Sequence, residues 1–482
     1  MLRLLDEIDV LHVSGDPALV EITSVEHDSR RTQPGALFCC LPGQLSDGHD
    51  HAAEAVAAGA VGLVCEHAVE VPSEAEVVQV RVAPGSARPS MGRIASAFFG
   101  HPSRQLLTAG VTGTNGKTTV SHLLGAVLEH AGIPTLVIGT LTGTRTTPEA
   151  TELQRLLGEE RDLGLEDKST HAVSMEVSSH ALAQSRVEGI TFDVAIFTNL
   201  SHDHLDFHQT MEAYWEAKAS LFTPARAAQG IVFADDPAGE RLLARPRIPM
   251  RAVRRFDAAG VDLGLGWSRF VWHGRPVEIA LTGQFNVDNA LLAGEAALTL
   301  GVGVDDVADG LTRAPSVRGR LEPVVIEGEE WPFSVLVDYA HTPAGLHVVL
   351  SELRHLSKPG ARVVVVFGCG GNRDHAKRPV MGEVAVRLAD LAILTSDNPR
   401  DEDPLRIIDE VRSGIDAATT RRAEVVVEPD RRRAIALAIE RAEPGDVVLI
   451  AGKGHETTQE LHDRSIAFDD RLVAEEVLAC SR

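Results

Sequence analysis

The chain has 482 residues, 44% of them hydrophobic and 24% charged, and a formal net charge of −23 at pH 7. Such a composition is ordinary for a globular protein, and the length gives a prior of roughly three domains, each able to bury its own core. The acidic balance argues against a nucleic-acid surface, and five cysteines without a C-x-x-C spacing indicate neither a zinc site nor a disulfide framework.

The first residues carry acids at 6, 7 and 9 within an apolar run, and no stretch approaches about 18 uninterrupted apolar residues. Neither a signal peptide nor a membrane span is expected, and a cytoplasmic monomer fits best. From 1 to 105 short β-runs alternate with Ala-rich helix (21–30, 35–43, 51–60, 61–66, 77–83), and a helix over 89–100 closes this first unit. HPSRQ at 101–105 reads as a linker. Asp28-Ser29-Arg30 reads as a capped turn.

An apolar run at 106–109 leads into GVTGTNGKTT at 110–119, the stretch on which the second unit (106–318) is built. Gly113 and Gly116 let the backbone bend so that N–H groups, including those of Thr114, Asn115 and Thr119, converge on an anion. Lys117 adds a point charge, Thr118 a hydroxyl suited to Mg2+, and the following helix its positive end. The strict Walker pattern asks for Gly where this chain has Val111.

Val120, Leu123, Leu124, Val127 and Leu128 fall on one face of that helix, with Gly132 as its stop. A strand follows near 135–140, then a Thr-rich loop and a helix starting at Thr147-Pro148. The polar region 158–170 is expected to be a surface loop. Two further β-runs end in Glu176, Ser178, Asn199, His202, Asp203 and His204. Open α/β sheets bind ligands at the carboxyl ends of their strands, so these mark an active-site edge. Alone, Glu176 is an ordinary rim residue, His204 a hydrogen-bonding group and Lys218 a solvated helix residue. Following a P-loop in this order, Thr118, Glu176 and His204 are candidates to hold metal.

From 319 to 482 five β-runs alternate with helices, which predicts a parallel doubly wound sheet. GCGG at 368–371 lacks G-x-G-x-x-G, so a dinucleotide is not expected. Three strand ends offer Arg373, Asp397-Asn398-Pro399-Arg400 and the loop from Gly452 to Glu456. Cations for carboxylates and acids for an amine describe a pocket for a zwitterion.

Eleven motifs in order resemble the Mur ligase family: DSR (28–30), GTNGKTT (113–119), TTP (146–148), EVSSHAL (176–182), FTNLSHDHLDFH (197–208), AK..LF (217–222), FNVDNAL (285–291), VDYAHTP (337–343), GCGGNRD (368–374), DNPR (397–400) and AGKGHE (451–456). The resemblance implies a UDP-binding N-terminal domain, a central ATPase domain and a Rossmann-like C-terminal domain. It also implies ATP-dependent addition of a diamino acid to UDP-N-acetylmuramoyl-L-Ala-D-Glu through an acyl phosphate, with Mg2+ as cofactor. Lys117, Glu176, His204 and Lys218 would be catalytic, with Lys218 carbamylated to N6-carboxylysine. Asn286, Asn289, Arg320 and Asp338 would complete the ATP site. Ser29, Thr146, Thr147, Ser178, Gln184 and Arg186 would hold the UDP-muramoyl dipeptide. DNPR resembles the form that takes meso-diaminopimelate, whose far carboxylate Arg400 would pair. His202, Asn372 and His375 depart from the usual pattern, where Arg, Asp and Lys are common. Competing readings are the same ligase using L-lysine, a folylpolyglutamate-type ligase, and a non-catalytic nucleotide-binding subunit.

Overall fold

The computed structural model describes residues 1–43, 46–72, 76–143, 145–326 and 328–480. Its N-terminal sheet has five strands in the order His12–Ser14, Val78–Arg81, Gly62–Cys65, Ala36–Cys39, Ser24–Glu26. Only the first pairing is antiparallel. Residues 36–39 are buried without alternation because both faces of the sheet are covered. Met91 and Ile94 of helix Ala87–Phe98 pack on one face, and Ala52 and Ala55 of helix Ala52–Ala57 on the other.

The central sheet is parallel throughout, in the order Met250–Val253, Ala227–Phe233, Phe192–Phe197, Leu107–Thr112, Ala172–Glu176, Thr135–Ile138. Its P-loop strand therefore lies between the two strands that end near Thr198 and at Glu176. The apolar face predicted for helix Lys117–His130 is buried, sharing a core with helices Gln284–Thr299 and Val304–Arg313. An antiparallel sheet of Ala258–Gly264, Trp267–Trp272 and Arg275–Ile279 adds Phe270, Trp272 and Val277 to that core.

The C-terminal sheet runs Glu322–Pro323, Ser334–Asp338, Val447–Ala451, Val363–Phe367, Leu391–Leu394, Glu424–Val427, parallel except at its first pairing. Val447–Ala451 sits between strands from earlier in the chain, so the ends carrying Asp338, Gly452, Gly368 and Thr395 are neighbours. A short hairpin, Thr458–Glu460 with Ser465–Ala467, lies beyond them. Among the described residues, no helix is long and apolar enough to cross a membrane.

Two local expectations are corrected. The region 158–170 is helix as far as Asp167, because Ala150–Asp167 is continuous. Leu153 and Leu157 are buried along it, Arg155 pairs with Glu159 one turn on, and Gly158 lies where a Cβ would touch Phe99 at 3.3 Å. The helix starts at Ala150 rather than Thr147-Pro148, since Glu149 is still extended. The stretch 101–105, expected as a linker, forms a 3-10 turn over Pro102–Gln105 with Pro102 and Ser103 buried.

The end of the long helix carries a titratable lock. Buried His171 lies 2.5 Å from Glu160 Oε1 and 2.9 Å from Asp167 Oδ2. Burial pushes its pKa down, but hydrogen bonds and charge from both carboxylates outweigh that and leave it raised. A raised pKa stabilises the fold below the ordinary value of 6.5, and that stability is lost as pH rises through the folded pKa. His171→Gln is therefore expected to lower Tm at about pH 5.5 more than at about pH 9, as thermal melts at both would show.

Candidate active site

The P-loop backbone turns through Gly113 at φ +150° and Gly116 at φ +85°. A Cβ at Gly116 would run into Asn289 Oδ1, so glycine permits this approach between loop and helix. Two lysines share one carbonyl here. Lys117 Nζ donates to Gly113 O (3.1 Å) and Thr114 O (2.8 Å), while Lys218 Nζ donates to Gly113 O at 2.6 Å. Lys218 is fully buried, its Nζ 4.7 Å from the centre of the Tyr214 ring. Burial first, then the Lys117 charge, pushes the Lys218 pKa well below its ordinary value. Burial lowers Lys117 as well.

Thr118 Oγ1 donates to Glu176 Oε2 (3.1 Å) and accepts from Arg320 Nη2 (2.8 Å). Glu176 Oε1 accepts from the Thr140 N–H at 2.8 Å. Facing hydroxyl and carboxylate oxygens fit Mg2+, a hard cation that binds through few carboxylates and keeps several waters. His204 stands at φ +54°, its Nε2 3.6 Å from Asp203 and its ring edge-on to His180. Burial lowers its pKa to about 4, against the opposing pull of Asp203, so its imidazole is neutral at pH 7 and has a ring nitrogen free to ligate. His202 is exposed.

Between this edge and the C-terminal sheet lies a cavity of about 350 Å³, lined by Asn115, Gly116, Thr119, Asn286, Asn289, Arg320 and Asp338 among others. Asn289 Nδ2 donates to Asn286 Oδ1 (3.2 Å), and Asn286 Nδ2 to Thr282 O (2.8 Å). Asp338 accepts the N–H groups of Leu321 (2.7 Å) and Ala340 (2.8 Å), bracing the segment that aims Arg320. The Arg320 guanidinium lies 4.9 Å from the Tyr339 ring centre. The Arg255–Asp288 ion pair, 3.0 Å long, also lines the cavity; Asp288 lies within FNVDNAL, whereas Arg255 falls in none of the eleven motifs.

Five of the six residues expected to hold the UDP-muramoyl dipeptide form one patch. Thr146 Oγ1 is 3.0 Å from Thr140 Oγ1, and Thr147 Oγ1 donates to Glu176 O (2.9 Å) and Ser178 Oγ (3.3 Å). Arg186 donates to Thr147 O (3.1 Å) and to Gln184 Oε1 (2.6 Å). Ser29 stands apart in the N-terminal unit, donating to Glu54 Oε2 at 2.8 Å. Its 3-10 turn, capped by Asp28, is the one the sequence predicts.

At the C-terminal sheet, Asp397 and Asn398 are buried, Gly452 has φ +115°, and Asp397 Oδ1 is buried without a hydrogen bond among the described residues. Asn398 Nδ2 donates to Glu456 Oε2 (2.7 Å), and Pro399 O accepts from the Glu402 N–H (3.0 Å). Arg400, at φ +51°, pairs with Glu460 Oε2 (2.6 Å) and donates to Gly371 O (3.0 Å). Arg373 is exposed at the rim. The unusual Asn372 and His375 have local partners, Asp401 at 3.0 Å and Glu410 at 3.0 Å.

The Mur ligase family's catalytic domain matches residues 21–99, its middle domain 111–297 and its glutamate ligase domain 319–454. A UDP-N-acetylmuramoyl-L-alanyl-D-glutamate--2,6-diaminopimelate ligase of Gloeobacter violaceus is 43% identical, covering 96% of this chain and 95% of that protein. The protein of the same name from Streptomyces coelicolor is 42% identical over 98% of this chain and 95% of its own length. A solved ligase of that name superposes with a TM-score of 0.64 at 31% identity, covering 95% of each chain. The Thermotoga maritima MurF ligase, solved with ADP, shares the fold at 18% identity and a TM-score of 0.62, covering 96% of this chain and 97% of its own. With three successive domains matched and near full-length relatives above 40% identity, the chain belongs to the Mur ligase family.

Proposed function

We propose that this chain is an ATP-dependent, ADP-forming ligase that joins meso-diaminopimelate to UDP-N-acetylmuramoyl-L-alanyl-D-glutamate in the cytoplasm. The observation that carries the reading is the Arg320–Thr118 contact. It joins a P-loop edge to a domain whose strand ends hold an Arg, Asn and Glu pocket, in a chain whose relatives bear that ligase's name. We assign 1–105 to the UDP end, 106–318 to ATP and 319–482 to the amino acid.

A carboxylate is a poor electrophile. Its oxygen first attacks the γ-phosphorus of ATP, and ADP leaves as an acyl phosphate forms. The free amine then attacks the acyl carbon, loses a proton, and inorganic phosphate departs. Lys117 and Arg320 offset charge on the transferred phosphoryl group, while loop N–H groups from Gly113 to Thr119 hold the phosphates. Asn286 and Asn289 face the base, and Asp338 keeps Arg320 aimed. Thr118, Glu176 and His204 would hold Mg2+, which would supply Lewis-acid neutralisation of phosphate charge. Lys218, whose burial favours the neutral amine, adds through Nζ to the carbon of CO2 and releases one proton to solvent, which leaves an anionic carbamate. Ser29, Thr146, Thr147, Ser178, Gln184 and Arg186 bind the UDP-linked acceptor. Arg373, Asp397, Asn398, Pro399, Arg400, Gly452 and Glu456 bind diaminopimelate.

ADP release from the purified protein is expected only when UDP-muramoyl dipeptide and diaminopimelate are both present with Mg-ATP. Release driven by a folate and glutamate instead, or by no acceptor, sinks the assignment.

A further inference from the structure

Lys453 is the second residue of the GKGHE loop and is fully buried. A lysine is almost never buried completely unless its charge has partners. Its Nζ uses all three donors: Asn398 Oδ1 at 3.0 Å, Glu456 Oε2 at 3.0 Å and Thr458 O at 2.7 Å. The first two acceptors belong to the amino-acid pocket. The third opens the hairpin whose Glu460 pairs with Arg400, and the Glu460 N–H also donates to Asn398 Oδ1, at 3.0 Å.

This wiring removes the ambiguity of an amide. With Oδ1 held by Lys453 and Glu460, the Asn398 Nδ2 is turned the other way, giving one N–H to Glu456 and keeping the second. Glu456 Oε2 is shared by Lys453 and Asn398, while its Oε1 takes no hydrogen bond from the described residues. The pair thus offers a donor and an acceptor side by side.

We propose that Lys453 is a positioning residue of the amino-acid pocket: acting through Asn398 and Glu456, it presents an N–H to a ligand carboxylate and a carboxylate oxygen to the neighbouring ligand ammonium. It never touches the ligand itself. The proposal rests on the ligase reading above and extends it to the residue that sets which end groups the pocket accepts.

The test compares diaminopimelate with 2-aminopimelate, which keeps both carboxylates and the reacting amine but lacks the far ammonium. In the full-length Lys453→Met variant, the kcat/KM preference for diaminopimelate should fall about tenfold or more, with KM for ATP and for the UDP substrate within about twofold of the parent. A residue that only stabilised the fold would lower Tm and leave that preference alone. If Lys453→Met yields no folded protein, Lys453→Gln, which keeps a donor without the charge, carries the same comparison. An unchanged preference in the folded variant, beside an active parent, overturns the role of Lys453 alone. A parent that turns over neither amino acid overturns the ligase reading and this proposal with it.

Discussion

Lys218→Arg is expected to abolish ADP release, by about a hundredfold or more, although arginine keeps the charge and can still donate to a carbonyl. The contacts of Lys218 suit two jobs. One is a tether, through the 2.6 Å bond from Nζ to Gly113 O. The other is a reactive amine: full burial and the neighbouring Lys117 charge favour the neutral form, the form that adds to CO2. A tether survives replacement by arginine, at least in part. A carbamate does not, because a guanidinium with its high pKa is no nucleophile near pH 7. Electrostatics favour the second job, since two ammonium groups on one buried carbonyl repel each other, whereas a carbamate turns one into a counter-charge for Lys117 and for Mg2+. The measurement pairs kinetics with divalent-cation binding in the absence of nucleotide, where Lys218→Arg should bind more weakly than the parent. Near-parental turnover by Lys218→Arg would falsify the carbamate and leave the tether.

Lys218 also marks where sequence reading stops. The P-loop, the strand end at Glu176 and the DNPR turn were legible because each is a contiguous motif placed by a β-run or a helix start. Burial of Lys218 was not, because a helix of low amphipathicity such as Met211–Ala219 does not announce which face meets the P-loop. The helix beyond Gly158 was hidden for a related reason. Glycine lowers helix propensity, but here Gly158 and Gly164 admit Phe99 and His171, and that packing outweighs propensity. Lys453 stood inside a recognised motif, yet its partner Asn398 lies 55 residues away, and only the adjacency of the Val447–Ala451 and Leu391–Leu394 ends to the strand between them brings the two together. The pairing of Arg400 with Glu460 depends on a hairpin that forms its own two-stranded sheet.

That pairing changes what Arg400 is expected to contribute. Were Arg400 buried with no protein partner, lysine in place of diaminopimelate would leave it uncompensated, at a cost of roughly 3 to 5 kcal/mol. The Arg400 side chain is instead 26% exposed and already held by Glu460 and Gly371 O, so no isolated charge is left behind when the ligand lacks a far carboxylate. What diaminopimelate gains is one charge-assisted contact, partly offset by sharing the guanidinium with Glu460, or about 1.5 to 3 kcal/mol before solvent screening trims it. Arg400→Ala should therefore raise KM for diaminopimelate about tenfold to a hundredfold, with the KM for ATP and binding of the UDP substrate unchanged. Glu460→Gln supplies the opposite arm. Freed from its internal partner, Arg400 should bind the far carboxylate more tightly, lowering KM for diaminopimelate and widening its lead over lysine. Steady-state kinetics with both amino acids read the two variants together. Unchanged diaminopimelate kinetics in Arg400→Ala would remove Arg400 from the pocket. A preference that moves in Arg400→Ala but not in Glu460→Gln would keep the arginine and show that its carboxylate neighbour does not compete with the ligand.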